Sequence, residues 1–65
     1  QNRAAYIVLL HNHPSGDITP SYEDILITNK VHAAGLMMNI NMLDHIIIGD
    51  GYYYSFEEHG KIKEE

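Results

Sequence analysis

Apolar positions along the chain change their period three times, and each period predicts a different element. Residues 4–11 read AAYIVLLH, with aliphatic side chains on both alternating faces, as expected for a central strand covered on both sides. Residues 14–20, PSGDITP, hold both prolines, a glycine and an aspartate, so the ladder cannot continue and a loop follows. From residue 21 to 38 the period lengthens: Ile27, Val31, Ala34 and Met38 recur at helical spacing, and Pro20 stands just before the run, where a missing N–H is harmless. This predicts a helix with those four side chains on its inward wedge, weakened in its last turns by Gly35. Residues 40–49, INMLDHIIIG, read as a second strand, β-branched at its end. Asp50-Gly51 is a hairpin turn signal, and YYYSF after it is a third strand. The closing EEHGKIKEE is polar and predicts a short helical turn that frays. No internal repeat or low-complexity tract divides the chain, so residues 1–65 read as one α/β unit in the order strand, helix, strand, hairpin strand.

Length and composition narrow what such a unit can be. A 65-residue chain buries only roughly 60% of the surface it exposes when unfolded, so its core is marginal. Small chains gain stability from disulfides, a metal or a partner, and the absence of cysteine leaves the last two. Hydrophobic content of 45% with 20% charged residues suits a globular domain and not a disordered tail. A net charge of −5 has the wrong sign for neutralising phosphates, so direct nucleic-acid binding by this segment is not expected. No apolar run approaches the roughly 18 residues of a membrane span, and QNRAAYIVLL lacks the pattern of a signal peptide; a soluble, cytoplasmic segment is the expectation. The chain begins at Gln1 and moves almost at once into a buried-looking strand, which suggests the later part of a domain with an upstream strand outside it. A sheet edge left without that strand is expected to favour homodimers.

The candidate chemistry sits in HNHPSGDITPSYED, residues 11–24. His11 and His13 are two apart, so a strand running through them points both imidazoles to one face, where they can share an ion. Asp24 lies on the helical wedge of Ile27 and Val31 and therefore faces whatever the helix packs against. Two nitrogens and one carboxylate make a three-ligand zinc site whose fourth position is left to water, the arrangement of a catalytic metal. Ser21 stands one turn before Asp24, where its hydroxyl can donate to the oxyanion of a tetrahedral intermediate. A plainer reading of the same residues exists: S-x-x-D before an apolar run is by itself a helix capping box, and histidines at a strand end are commonly satisfied by backbone groups. The two readings are compatible, since Ser21 can cap the helix and still face the site.

H-x-H-P, six further residues and S-x-x-D, here His11, His13, Pro14, Ser21 and Asp24, resembles the signature of the JAMM (MPN-plus) metalloproteases. The fuller text HNHPSGD…TPSYEDI, with DHIIIG and then Y-S-F, is similar to the bacterial RadC branch of that family over nearly the whole chain. The resemblance implies a zinc held by His11, His13 and Asp24, with Ser21 steadying the intermediate, on a three-layer α/β/α fold similar to the cytidine deaminases. It also implies peptide or isopeptide bonds as substrates; the RadC branch was named for DNA repair. In the family the general base is a glutamate on a strand upstream of the H-x-H, and nothing before His11 in this chain is acidic. The expectation is a partial RadC-like JAMM domain that holds zinc but does not hydrolyse without a glutamate from outside the chain. A non-catalytic module for protein interaction or DNA repair that retains the fold is the alternative. Glu23 is about 100° round the helix from Asp24 and is expected to face solvent; Glu57, Glu58, Glu64 and Glu65 lie too late in the chain to match the base.

Other residues have simpler roles. Asp44 and His45 interrupt the second strand and need partners; local hydrogen bonds are the default, and whichever faces the site can orient a zinc histidine. His32 and His59 read as surface histidines. Met37, Met38 and Met42 read as core filler, and Tyr52, Tyr53 and Tyr54 as strand alternation beside a turn.

Overall fold

The pattern resolves into β1 (Ala5–Asn12), α1 (Tyr22–Met37), β2 (Ile40–Gly49) and β3 (Tyr52–Ser55), in a computed structural model that describes residues 5–62. Ala4, the first residue of the expected strand, and residues 63–65 of the expected terminal segment, including Glu64 and Glu65, lie outside the described residues. The predicted mixed α/β order holds, and the three strands form one sheet in the order β1-β2-β3. β1 runs parallel to β2, with α1 as the crossover that parallel neighbours require. Their register shifts between Ile7 and Val8, where Ile7 pairs with Met42 and Val8 with Asp44, leaving Leu43 as the extra residue of a bulge. β3 returns antiparallel to β2 through Asp50 and Gly51. Both have positive φ, 51° and 81°, the backbone that a two-residue hairpin of the right twist demands.

α1 begins and ends close to prediction, but its inward stripe is not the predicted one. Asp24, Thr28 and Gly35 are buried and Val31 packs on the core, whereas Ile27, Ala34 and Met38 are exposed. The stripe is turned by about one residue because three of its four members are polar or glycine, and hydrophobic periodicity cannot register them. Gly35, expected only to weaken the helix, is what lets α1 sit on β2: a Cβ there would lie 2.3 Å from the carbonyl oxygen of Ile40.

The buried apolar core is Met42, Ile47, Phe56 and Ile62, with Leu9, Ile18, Val31 and Tyr54 packed against it. Met37 and Met38 are exposed, so of the three methionines only Met42 fills the core. Ile62 belongs to the stretch expected to fray; instead, Lys61 N–H donates to the Phe56 carbonyl and a tight turn returns the chain to the core.

The expectation that β1 is covered on both faces holds on one side among the described residues. On one face Leu9 packs on the core and His11 reaches Asp24 of α1, while Tyr6, Val8 and Leu10 stand exposed on the other, beside Ile48 of β2 and Tyr53 of β3. An open groove of about 510 Å³ on that second face is lined by Leu10, Ile46, Ile48, Gly51, Tyr52 and Tyr53. No helix among the described residues is long and apolar enough to cross a membrane.

Candidate metal centre

The site forms where the end of β1, the following loop and the first turn of α1 meet. β1 ends at Asn12, and His13 N–H extends its ladder by donating to the Ile48 carbonyl at 2.9 Å. That keeps His11 and His13 on one face, their rings edge to face with centroids 4.7 Å apart. Pro14 and Ser15 then turn the chain, with Gly16 N–H donating to the His13 carbonyl at 2.9 Å. Gly16 has φ of 86° and lies against Gly49, where an added Cβ would be 3.0 Å from the Gly16 carbonyl oxygen. The loop is pressed onto the end of β2, a fit that two glycines make available. Asp17 Oδ1 accepts from Thr19 N–H in a local turn, and the Asp17 carbonyl accepts from His13 Nδ1 at 2.7 Å.

Ser21 and Asp24 form the predicted capping box. Ser21 Oγ accepts from Asp24 N–H at 3.1 Å, and Asp24 Oδ2 accepts from Ser21 N–H at 2.8 Å. The box aims the carboxylate inward, where its side chain is only 2% exposed. Asp24 Oδ1 meets His11 Nδ1 at 2.6 Å, and Oδ2 meets His13 Nε2 at 2.9 Å. The three residues predicted from spacing therefore converge, with ligand atoms within 4.8 Å of one another.

The electrostatics follow from these partners. Burial works to raise the Asp24 pKa, but Ser21 N–H, the Ser21 hydroxyl and His11 together outweigh it and hold the carboxyl at about 2. His13 is pushed up, first by the hydrogen bond to the Asp17 carbonyl, against a desolvation penalty that ranks next, and then by Asp24. Both ring nitrogens of His13 face atoms that only accept, so with both bonds made the ring carries two protons.

Donor chemistry decides whether a metal suits this cluster. Two imidazoles and an ionised carboxylate are borderline ligands suited to a divalent transition ion. His13 Nδ1–H anchored on a backbone carbonyl is the arrangement that fixes the tautomer and plane of a metal-binding imidazole. The residues fit, and the group can hold a metal ion.

Beneath the carboxylate lies a layer that sequence reading only half located. Thr28 Oγ–H donates to the Asp24 carbonyl at 2.8 Å, and His45 Nδ1 lies 2.6 Å from the same hydroxyl. A hydroxyl has one proton and a carbonyl none, so His45 Nδ1–H donates to Thr28 Oγ. Burial pushes the His45 pKa down, opposed by Asp24, which favours the neutral ring this bond needs. Asp44 binds locally instead, accepting from Ser55 Oγ at 2.5 Å and from the N–H groups of His45 and Glu57. Thr28 has no hydrophobic signal; what marks it in the sequence is a hydroxyl four residues after Asp24, the spacing at which helical side chains share a face. His32, expected at the surface, is half-buried with an unpaired Nδ1, and His59 stacks on Tyr54 at 4.1 Å. Glu23, Glu57 and Glu58 are exposed, and none is hydrogen-bonded to His11, His13 or Asp24.

Comparison with known proteins agrees with this geometry. A family model described as "RadC-like JAB domain" matches residues 1–61. A UPF0758 protein of Pelobacter propionicus is 61% identical over 57 residues, covering 88% of this chain and 25% of that protein. UPF0758 proteins of Methanosarcina mazei and Geotalea uraniireducens are 50% and 58% identical, over 92% and 88% of this chain and 26% and 25% of their own lengths. The chain thus spans about a quarter of the length of the curated relatives it matches. On these matches, the strand–helix–strand order and the three-stranded sheet, the chain belongs to the RadC-like JAB domain family.

Proposed function

We propose that this chain supplies the metal-holding part of a zinc-dependent hydrolase centre acting on peptide or isopeptide bonds, with His11, His13 and Asp24 as the ligands. The observation that carries the reading is the convergence of two imidazoles and a buried, ionised carboxylate within 4.8 Å, in a family member. Three protein ligands leave one position open, which suits catalysis better than a closed structural site. Zinc bound in this way supplies Lewis-acid polarisation of a carbonyl and a nucleophile at neutral pH.

The chain's own residues then have distinct tasks. Asp24 stays ionised across the working range because Ser21 and His11 stabilise its charge. His13 releases its Nε2 proton to become a ligand, while its Nδ1–H keeps the ring oriented on the Asp17 carbonyl. Ser21 Oγ accepts from Asp24 N–H and its hydroxyl also stabilises the Asp24 carboxylate; with that carboxylate on a metal, the hydroxyl proton would be available to donate to a substrate oxyanion. A proton-abstracting glutamate is supplied from outside this chain in the working enzyme. A cytoplasmic setting accords with the absence of cysteine, and direct nucleic-acid contact by this segment does not accord with its charge of −5.

The second reading, a non-catalytic interaction module, is favoured by one observation: the exposed apolar face of Tyr6, Val8, Leu10, Ile48 and Tyr53. Metal content by mass spectrometry on the chain and on His13→Ala tests the first requirement. One zinc per chain, lost in the variant, is expected; no zinc in either defeats the hydrolase reading. Turnover of a fluorogenic isopeptide by the zinc-loaded chain, dependent on added acetate as a stand-in base, then separates the two readings. Zinc binding without turnover at any acetate concentration favours the module.

A further inference from the structure

We propose that Thr28 and His45 are positioning residues of the metal centre, a buried bridge that fixes Asp24 and His11 against one another from below. The proposal rests on the metal-site reading above. It concerns two side chains that touch no ligand oxygen or nitrogen, but link the elements that carry the ligands.

Asp24 stands on α1 and His11 on β1, and neither is tied to the other except through the site itself. The strand between them in space is β2, where His45 is paired with Leu9 and Ile47 with His11. From that strand His45 Nδ1–H reaches Thr28 Oγ at 2.6 Å, and Thr28 passes the contact to the Asp24 carbonyl at 2.8 Å. The backbone of the ligand aspartate is thereby clamped to the sheet. The same imidazole lies parallel to the His11 ring, centroids 6.2 Å apart and planes at 21°, and rests on Phe56 at 4.7 Å and 7°. Phe56, His45 and His11 thus form a stack that sets the plane of the His11 ring from the core upward.

Thr28 and His45 are each 2% exposed, in a chain whose buried core includes only four hydrophobic residues among those described. Stability alone does not require a polar pair there: replacing both partners with apolar groups of similar shape is close to neutral. What the pair supplies is directionality. A ligand set must be held to within about 0.5 Å and 10–20°, and α1 otherwise meets the sheet through Val31 and Gly35, which do not fix its rotation.

The test is zinc affinity of the chain by competition with a chromophoric chelator, alongside the cobalt-loaded absorption spectrum and urea unfolding. Thr28→Val is expected to weaken zinc by 10- to 100-fold, the usual effect of losing a group that orients a metal ligand. Thr28→Ser, which keeps the hydroxyl, is expected to restore affinity to within about threefold. The decisive variant is Thr28→Val with His45→Phe, which keeps the packing and leaves no buried donor unpaired. It is expected to unfold near the wild-type midpoint, bind zinc at least tenfold more weakly and shift the cobalt spectrum. Wild-type affinity and spectrum in the folded double variant would overturn the proposal, leaving the pair a structural bond. Failure of the wild-type chain to bind zinc would instead remove the site itself.

Discussion

The two faces of the sheet differ in how they use polar and apolar residues. Under α1 the chain buries Asp24, Thr28 and His45, while Tyr6, Val8, Leu10 and Tyr53 stand exposed on the opposite face. A core that spends helix-facing positions on a carboxylate, a hydroxyl and an imidazole gives up hydrophobic burial, and each of those groups must be hydrogen-bonded to be tolerated. All three are, and the bonds run from one to the next, which is why the covered face has one arrangement. Among the described residues of the apolar face, Tyr53 donates its hydroxyl to Glu58 at its margin, and no such chain of bonds runs across it. The covered face is built for geometry and the open one for area.

The largest effect on that comparison is expected at Gly35. Alanine is about 1 kcal/mol better than glycine in a helix, but here its Cβ would lie 2.3 Å from the Ile40 carbonyl oxygen, a backbone atom that cannot rotate away. Overpacking of this kind costs about 1–3 kcal/mol, and a clash with backbone belongs at the upper end, so Gly35→Ala is expected to lose about 2 kcal/mol net. Urea unfolding monitored by far-ultraviolet circular dichroism measures it. A stabilised variant would mean that α1 does not sit this close to β2.

The covered face should also respond to pH in a way the open face cannot. Asp24 is lowered from 3.8 to about 2, so its contribution is complete above pH 3.8 and is lost as pH falls toward 2. His13 is raised above 6.5, so its contribution is complete below that value and is lost as pH rises through the folded pKa. Metal-free stability is therefore expected to be greatest between these limits. Zinc competes with the His13 Nε2 proton, so zinc affinity should rise through and above the folded His13 pKa. Thermal melts with and without zinc across pH 3 to 9 would show the two trends diverging; parallel curves would place His13 outside the ligand set.

A smaller effect separates the two duties of Ser21. Ser21→Ala removes an N-cap and is expected to cost about 1 kcal/mol, while Ser21→Asn keeps a capping oxygen and should lose only a few tenths. Both should still bind zinc, since the Ser21 backbone N–H bond to Asp24 Oδ2 survives either substitution. If turnover is obtained and the asparagine variant retains it, the hydroxyl is a cap and nothing more.

Much of this was readable from the sequence, and what was not has a physical reason. The strands, the Asp50-Gly51 turn and the helix ends follow local rules: alternation, positive φ, and a serine cap with an aspartate three residues on. His11, His13 and Asp24 follow from those rules combined, because a strand end and a helix start on converging elements bring them together. The helix's true inward stripe did not follow, because Asp24, Thr28 and Gly35 carry no hydrophobic signal. The burial of Ile62 and the exposure of Met37 depend on how distant segments close, which local patterning does not encode.

The sharpest test of the two-face comparison needs only adjacent residues. Leu9 packs on the core, whereas Leu10 points to the other face and is 68% exposed. Full burial of a leucine is worth about 1.5–3 kcal/mol, and truncation in a core adds a cavity term, so Leu9→Ala is expected to cost about 2 kcal/mol. Leu10 has only about a third of its surface to lose, so Leu10→Ala should cost less than about 1 kcal/mol. Urea midpoints of the two variants, read with sedimentation velocity over a concentration series, decide the matter. If β1's free edge and the apolar face pair with a second copy, Leu10→Ala weakens self-association while Leu9→Ala spares it. Equal losses of stability at both positions in a monomer would mean that the second face is covered in solution by the chain itself.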